Sequence, residues 1–238
     1  MQFEIITIFP KIFDSYFNES IIKRARVKKL VEICVHNLRD FTEDKHKKVD
    51  DAPYGGGAGM VLMAEPILRA VDRIKKQELR IKKKRKTKII LLSAKGKQFN
   101  QKLAYNWSKK YDRIFMISGR YEGIDERVGR ALHAEEISVG PYVLTDGDTA
   151  AMIIISAVSR LIPGVIKLES LKEESHWNLL LKKEAENTRK EKNTGGLEYP
   201  QYTRPEVLEY KRKKYRVPKV LLSGNHKEIK EWRETQTS

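Results

Sequence analysis

Two glycine-bearing segments carry the residue types best suited to binding and chemistry. In the first, residues 50–60, four of the protein's fourteen glycines fall within five positions, beside two aspartates, a proline and a tyrosine. Glycine weakens regular secondary structure, so such a cluster persists where the backbone must adopt positive φ or approach a ligand closely. A flexible linker would be longer and richer in serine. The segment therefore predicts an ordered binding loop that contains Gly55, Gly56, Gly57 and Gly59.

The second segment, residues 118–128, places three carboxylates and two arginines around a glycine turn. Its later acids would sit favourably at the N-terminus of a helix. That explanation covers neither Arg120 nor the glycines at 119 and 123. Neither a dinucleotide fingerprint nor a Walker phosphate loop is present in the sequence, so the segment predicts a binding loop of another kind.

The elements that must position these segments alternate along the chain. Apolar runs predict strands over residues 3–9, 30–38, 88–92, 113–118 and 136–144, and helical patterns occupy residues 12–28, 65–77, 98–110, 124–133 and 149–161. Alternation of this kind predicts an α/β fold in which a parallel sheet has helices on both faces and binds ligands beyond the carboxyl ends of its strands. The glycine run and the loops at 93–96, 118–123 and 139–148 are then the places where a ligand would bind.

Charge and composition point to a polyanionic partner. The chain has 48 Lys and Arg against 32 Asp and Glu, for a formal net charge of +16, with dense basic runs at 75–88, 182–192 and 211–216. Such runs favour nucleic-acid binding over a merely solvated surface, although they do not read a base sequence. The single cysteine, Cys34, excludes an internal disulfide and is predicted to be an inert, buried strand residue. Without a long apolar run or a signal peptide, we expect a cytoplasmic protein with no membrane contact.

Composition changes after residue 166, where lysine and glutamate come to dominate. We therefore predict three parts: a ligand-binding domain over 1–166, a charged hinge or lid over 167–198, and a small, mostly helical C-terminal domain over 199–238. In the last part, helices are predicted over residues 205–214 and 227–234.

Several motifs together resemble the bacterial tRNA (guanine-N1)-methyltransferase family. They are Asp-Asp-Ala-Pro-Tyr-Gly-Gly-Gly-Ala-Gly-Met at 50–60, Ser-Gly-Arg-Tyr-Glu-Gly-Ile-Asp-Glu-Arg-Val at 118–128, Ser-Arg-Leu-Ile-Pro-Gly-Val at 159–165 and Tyr-Thr-Arg-Pro-Glu-Val at 202–207, with shorter blocks at 39–42, 44–47 and 223–226. The blocks occur in order along almost the whole chain.

The resemblance implies a fold and an activity that periodicity does not show. It implies methyl transfer from S-adenosylmethionine to N1 of the guanosine immediately 3′ of the anticodon in tRNA. The family's sheet contains a deep trefoil knot, an exception to the usual absence of knots. Its members are homodimers with the active site between subunits, and they require Mg²⁺. No metal-ligand spacing in this sequence reveals such an ion independently.

Residue by residue, the resemblance places the cofactor at the ends of the predicted strands. The implied S-adenosylmethionine contacts are Leu92, Ser93, Gly119, Val139, Gly140, Tyr142, Val143 and Leu144. An adenine ring needs backbone groups at its edge and apolar walls against its faces, which a glycine-bearing Val-Leu loop offers. For the side chains of Val139, Val143 and Leu144, ordinary core packing is the alternative.

Methylation at N1 needs a base for the N1 proton and a cation for the charge that develops on guanine O6. The resemblance assigns the cation to Arg160. It places the base, an aspartate in the family, at Glu174, with Glu173 as the fallback. Further substrate contacts are implied at Arg120, Glu122 and Arg204, and residues 199–238 are implied to be an RNA-binding domain. The glycine run becomes a pocket wall beside the methyl group and the target guanine. Arg204 equally fits an interdomain ion pair.

Two positions in the cofactor loop depart from the family pattern. Pro141 replaces a common aspartate, and Asp146 stands where the first of two glycines is usual, so we expect an altered loop backbone or a weaker cofactor affinity. Basic insertions occupy residues 181–194 and 210–215. One alternative function is a tRNA-binding protein that has lost catalysis, and another is a related knotted methyltransferase acting on a different RNA or atom.

Overall fold

Strands of the first of two units, Met1–Lys167, form a parallel sheet in the computed structural model, which describes residues 1–79, 85–172 and 199–236. The sheet contains β1 (Gln2–Thr7), β2 (Glu32–Asn37), β5 (Thr87–Gln98), β6 (Arg113–Ser118) and β7 (Glu135–Ser138), in the order β2-β1-β6-β5-β7. The predicted α/β fold with a parallel sheet is confirmed. Two short strands, β3 (Asp50–Asp51) and β4 (Val61–Leu62), pair antiparallel and enclose the glycine run.

Helices flank the strands along the chain. They are α1 (Asp14–Phe17), α2 (Ser20–Val27), α3 (Ala64–Leu79), α4 (Gln101–Lys110), α5 (Glu126–Leu132) and α6 (Gly147–Ser159), with 3-10 turns at Pro10–Phe13 and Leu38–Phe41. The single helix predicted over 12–28 is wrong. Extended backbone at Glu19 and a φ of 50° at Ser20 divide the segment into separate pieces.

The core lies between the sheet and its helices. Ile67, Val71 and Ile74 of α3 belong to a buried cluster with Phe115 and Ile117 of β6. This packing places α3 against the sheet.

Charged and thiol side chains also occur among the strands. Glu4 pairs with the buried guanidinium of Arg113, Oε1 to Nη1 at 3.7 Å, and with His36, Oε2 to Nε2 at 2.6 Å. Burial, reinforced by the charge of Glu4, raises the pKa of the Cys34 thiol to about 11. Cys34 therefore stays protonated at neutral pH, as expected of an inert strand residue.

The outer part of the sheet differs from the predicted strand boundaries. Strand β5 is longer than expected: it pairs with β7 through Leu92 and again through Lys97, both in register with Ile137, so residues 93–96 bulge between the two contacts. Strand β7 is shorter and ends at Ser138. Residues 139–144, predicted as strand, are therefore loop.

The second unit, Leu168–Ser238, is described by α7 (Leu168–Lys172), β8 (Val207–Tyr210), β9 (Lys213–Arg216), α8 (Lys219–Leu222) and α9 (His226–Gln236). The helix predicted over 205–214 is wrong. Residues 207–216 instead form a β-hairpin, whose turn has positive φ at Lys211 and Arg212. The helix predicted over 227–234 is confirmed as part of α9. Glu173, Glu174 and the insertion at 181–194 lie outside the described residues. No helix within the described ranges has the length and apolar character to cross a membrane.

Candidate functional site

A cavity of about 460 Å³ opens at the bulge of β5 and beyond the carboxyl ends of β6 and β7. Its walls come from the β5 bulge, the loop after β6, the loop after β7 and the first turn of α6. Seven of the eight predicted cofactor contacts line it: Leu92, Ser93, Gly119, Val139, Tyr142, Val143 and Leu144. The structure thus gathers residues that are up to 52 positions apart in the sequence, from 92 to 144, around one space.

Gly140, the eighth predicted contact, belongs to the loop after β7 and is not among the residues that line the cavity. Its N–H donates to Ser138 Oγ at 3.3 Å, and Ser138 Oγ donates to its carbonyl at 2.8 Å. A β-carbon at this position would lie 2.5 Å from Tyr142 Cζ, so only glycine lets the tyrosine ring fold back over the loop. Tyr142 Oη donates to the Val139 carbonyl at 3.3 Å. The loop is therefore braced by its own groups.

The loops after β6 and β7 meet backbone to backbone. Gly147 N–H donates to the Gly119 carbonyl at 2.9 Å. A β-carbon on Gly147 would lie 2.7 Å from Gly119 N and 3.0 Å from Ser118 Cα, closer than side chains approach backbone atoms. This contact fixes the start of α6 against the predicted cofactor contact Gly119.

The conformation and contacts of Asp146 account for an aspartate at a position where the family pattern usually has glycine. Its backbone is extended, with φ −163° and ψ 165°, a conformation open to any residue, so the position does not require glycine. Its side chain caps α6, because Oδ1 accepts from Thr149 N at 3.0 Å, while Oδ2 lies 3.4 Å from Arg120 Nη2. Burial opposes ionisation, but the bonds from Thr149 and Thr145 and the charge of Arg120 together lower the pKa of Asp146.

Arg120 connects the cavity to the start of the chain. Its guanidinium carbon lies 4.5 Å from the centroid of the Phe9 ring, a cation–π distance. Its Nε is buried and has no hydrogen-bond partner among the described residues. Arg120 lines the cavity, and its contact with the substrate stays a prediction.

Asp148, which the sequence did not single out, is fully buried in the first turn of α6. Neither of its carboxyl oxygens accepts a hydrogen bond of standard geometry within the described ranges. Burial raises the pKa of Asp148, although interactions with Ser118 and Thr7 oppose the rise. A charged residue at a helix N-terminus looks like a solvated cap in sequence, so nothing in the pattern signalled this burial.

The glycine run touches the cavity at its C-terminal end. A β-carbon on Gly59 would lie 2.7 Å from Cγ of Glu122, a lining residue. Glu122 N–H donates to the Met60 carbonyl and Leu62 N–H to the Gly123 carbonyl, each at 3.0 Å. The other end of the run is open. Gly55, Gly56, Gly57 and Gly59 all have positive φ, as the sequence predicted, and Tyr54 is 100% exposed.

Of the remaining predicted site residues, Arg160 lies away from this cavity. Arg160 directly follows α6, whose 13 residues span about 20 Å, so it lies at the opposite helix end from the cavity. Arg204 belongs to the second unit, and Glu174 is outside the described residues.

Acidic side chains at the cavity are held mostly by cations of the protein itself. Lys95 Nζ lies 3.0 Å from Glu126 Oε2 and 3.4 Å from Glu136 Oε1, and these pairs span too much sequence to be predicted. In the described ranges, no group of three or more His, Cys, Asp or Glu is arranged to hold a metal ion. The described acidic residues at the cavity therefore do not form a Mg²⁺ cage.

Comparison with known proteins gives one consistent result. Residues 1–238 match the family described as tRNA (Guanine-1)-methyltransferase TrmD. Proteins named tRNA (guanine-N(1)-)-methyltransferase from Thermomicrobium roseum and Dictyoglomus turgidum are each 48% identical over 98% of this chain and over 77% and 83% of their own lengths. A protein of the same name from Clostridioides difficile is 45% identical over the full chain and 92% of its own length.

Proposed function

The chain belongs to the tRNA (guanine-1)-methyltransferase family, and from this membership we propose that it transfers a methyl group from S-adenosylmethionine to N1 of the guanosine immediately 3′ of the anticodon in tRNA. The observation that carries the proposal is the cavity at the bulge of β5 and beyond β6 and β7, which contains seven of the eight positions that match the family's cofactor contacts. The tRNA substrate supports the expected cytoplasmic location.

We assign the cavity to S-adenosylmethionine because its size and chemistry suit that ligand. About 460 Å³ lies within the range of small-molecule pockets. Leu92, Val139 and Leu144 offer apolar walls for the adenine faces, and the backbone of the 139–144 loop offers edge contacts. When bound, the cofactor supplies a methyl group on a sulfonium, whose S–C bond breaks as the new N1–C bond forms.

The chain's own residues handle the proton and the charge. We propose that the Glu174 carboxylate accepts the N1 proton and that Arg160 stabilises the negative charge on guanine O6. Arg120 and Glu122, at the cavity edge, are proposed to contact the target nucleotide together with the glycine run. Arg204 is proposed as an RNA contact in the second unit.

Separation of Arg160 from the cavity supports a homodimeric active site. In one chain the two lie at opposite ends of α6, so Arg160 would have to reach the cofactor of a second subunit. Exposed apolar side chains on elements that contact α6, or on α6 itself, would be buried by such a partner. They are Ile12 on the Pro10–Phe13 turn, Ile21 on α2 and Ile153 on α6.

Close backbone contacts support the family's trefoil knot. Gly147 meets Gly119, and a β-carbon on Gly96 would lie 2.5 Å from the backbone of Glu136 and Ile137. Glycine at these crossings lets chain segments approach as closely as a threaded loop requires.

Methyl transfer to matched tRNA transcripts tests the function. Purified protein is incubated with methyl-labelled S-adenosylmethionine and two transcripts that differ only in having guanosine or adenosine at the target position. We expect label in the guanosine transcript alone. The variant Glu174→Gln should abolish transfer while leaving cofactor affinity within twofold of wild type. Tight tRNA binding by the wild type without any incorporation would instead favour the tRNA-binding alternative.

A further inference from the structure

The β8–β9 hairpin of the second unit exposes an unusual combination of side chains. Its register pairs Leu208 with Tyr215 and Tyr210 with Lys213, so these four residues share one face. Leu208, Tyr210 and Tyr215 are 54%, 58% and 53% exposed. A two-stranded hairpin gains little stability by itself, and large side chains left open on one face indicate a surface that a partner covers.

The same hairpin carries a concentrated positive charge. Its basic side chains are Lys211, Arg212, Lys213, Lys214 and Arg216, against the single acid Glu209 within the two strands. In the part of the chain that the structure describes, none of these five basic residues forms an ion pair. Lys211 Nζ instead lies 5.4 Å from the centroid of the Tyr210 ring. The charges are thus available to a polyanion.

The turn itself is not optimised for stability. Lys211 and Arg212 have φ of 50° and 61°, the left-handed values that a two-residue type I′ turn requires at both central positions. Asn-Gly is the favoured pair for such a turn, and long side chains there carry strain. Two cations therefore occupy positions where the hairpin alone would favour other residues, a local departure of the kind expected at a functional site.

We propose that the Leu208, Tyr210 and Tyr215 face, with Lys211 and Lys213, docks an unpaired segment of the substrate tRNA; this rests on the proposed function. Tyrosine rings stack on bases that are free of a duplex, while lysines bind the adjacent phosphates. A double-stranded stem does not offer its base faces. A protein partner fits less well, because lysine is depleted from interface cores.

Binding of the full-length protein to an unmodified tRNA transcript tests the proposal, with three paired substitutions. Tyr210→Ala/Tyr215→Ala should weaken tRNA affinity at least tenfold, whereas Tyr210→Phe/Tyr215→Phe should stay within twofold of wild type because the rings remain. Lys211→Asn/Arg212→Gly installs the preferred turn pair, so it should preserve or raise the thermal midpoint and yet reduce the salt dependence of tRNA affinity. S-adenosylmethionine affinity should stay within twofold in all three.

Several results would overturn the hairpin proposal. They are an unchanged tRNA affinity in the alanine variant, an equal loss in the phenylalanine variant, or an unchanged salt slope in the turn variant. Binding of wild-type protein to phosphatidylserine vesicles that the alanine variant loses, with tRNA affinity unaffected, would assign the face to membranes instead. Methyl transfer by the wild type is measured in parallel. Its failure would contradict the proposed function, whereas tRNA affinity of the variants reports on the hairpin alone.

Discussion

The Arg120 guanidinium and the Asp146 carboxylate join the two loops that border the cavity, Nη2 to Oδ2 at 3.4 Å. Asp146 simultaneously caps α6, and Arg120 covers the Phe9 ring. One ion pair thus links the loop after β6, the loop after β7 and the N-terminus of α6.

Asp146→Ala should lower the free energy of unfolding by about 1 kcal/mol, since it removes the helix cap. Asp146→Asn keeps a capping oxygen and should lose less at neutral pH. Because the folded pKa of Asp146 is lowered, its charge stabilises the fold at neutral pH and this contribution disappears as pH falls through the carboxyl range, about pH 4 and below. Urea unfolding from pH 7 to 3 measures both effects. Equal acid sensitivity of wild type and Asp146→Asn would contradict this assignment.

Gly147→Ala should damage the cavity itself. The added β-carbon would meet Gly119 N at 2.7 Å, so the two backbones must separate. We expect S-adenosylmethionine affinity, measured by titration calorimetry, to fall at least tenfold, about 1.4 kcal/mol. Gly129→Ala is the matched control, because its β-carbon meets only Leu91 Cδ1 at 3.4 Å. Normal affinity in Gly147→Ala would show that the close contact does not shape the site.

Asp148 should give the opposite pH dependence to Asp146. Its folded pKa is raised by burial, so the neutral carboxyl favours the fold at low pH, and this contribution is lost as pH rises through the folded pKa. Asp148→Asn remains neutral throughout. The variant should therefore lose less stability than wild type as pH rises from the ordinary carboxyl range, about pH 4, towards neutrality, as followed by thermal unfolding. Parallel stability profiles of the two proteins over that range would contradict a raised pKa of Asp148 in the folded protein.

Gly59→Ala tests the link between the glycine run and the cavity. A β-carbon there displaces Glu122, so kcat/KM for tRNA should fall more than tenfold while cofactor affinity stays within twofold. Gly56→Ala is the control for backbone strain, because both glycines have φ of 80° and an added β-carbon at Gly56 meets nothing within 4 Å. Equal losses in the two variants would remove the Glu122 contact from the explanation.

The parallel sheet was predicted from a strong local signal, whereas the residues around the cavity were predicted from the resemblance to a known family. Apolar alternation marks buried strands, and the motif at 118–128 is unusual enough to identify by its residues alone. The prediction for strand β7 extended too far, to residue 144. Val139, Val143 and Leu144 are apolar, as strand residues often are, but they belong to a loop that lines the cavity. At 205–214 a helix was predicted in place of the hairpin, because the residues at its turn, Lys211 and Arg212, are not typical turn formers.

Local sequence patterns did not predict several of the tertiary contacts. Asp146 was expected to disturb the loop, and only the structure reveals that its extended backbone needs no glycine and that its side chain caps a helix. Burial of Asp148 and the pairing of Lys95 with two distant glutamates depend on how the chain returns to one edge of the sheet. Such contacts are set by topology rather than by spacing.

Identification of the methylated nucleoside tests the central claim most directly. The protein is incubated with S-adenosylmethionine and a tRNA transcript that has guanosine 3′ of the anticodon, and the RNA is digested and analysed by mass spectrometry against nucleoside standards. The account predicts 1-methylguanosine, located in the fragment next to the anticodon and absent when that guanosine is replaced. A methyl group on another atom, in another fragment or on the replaced transcript would contradict it.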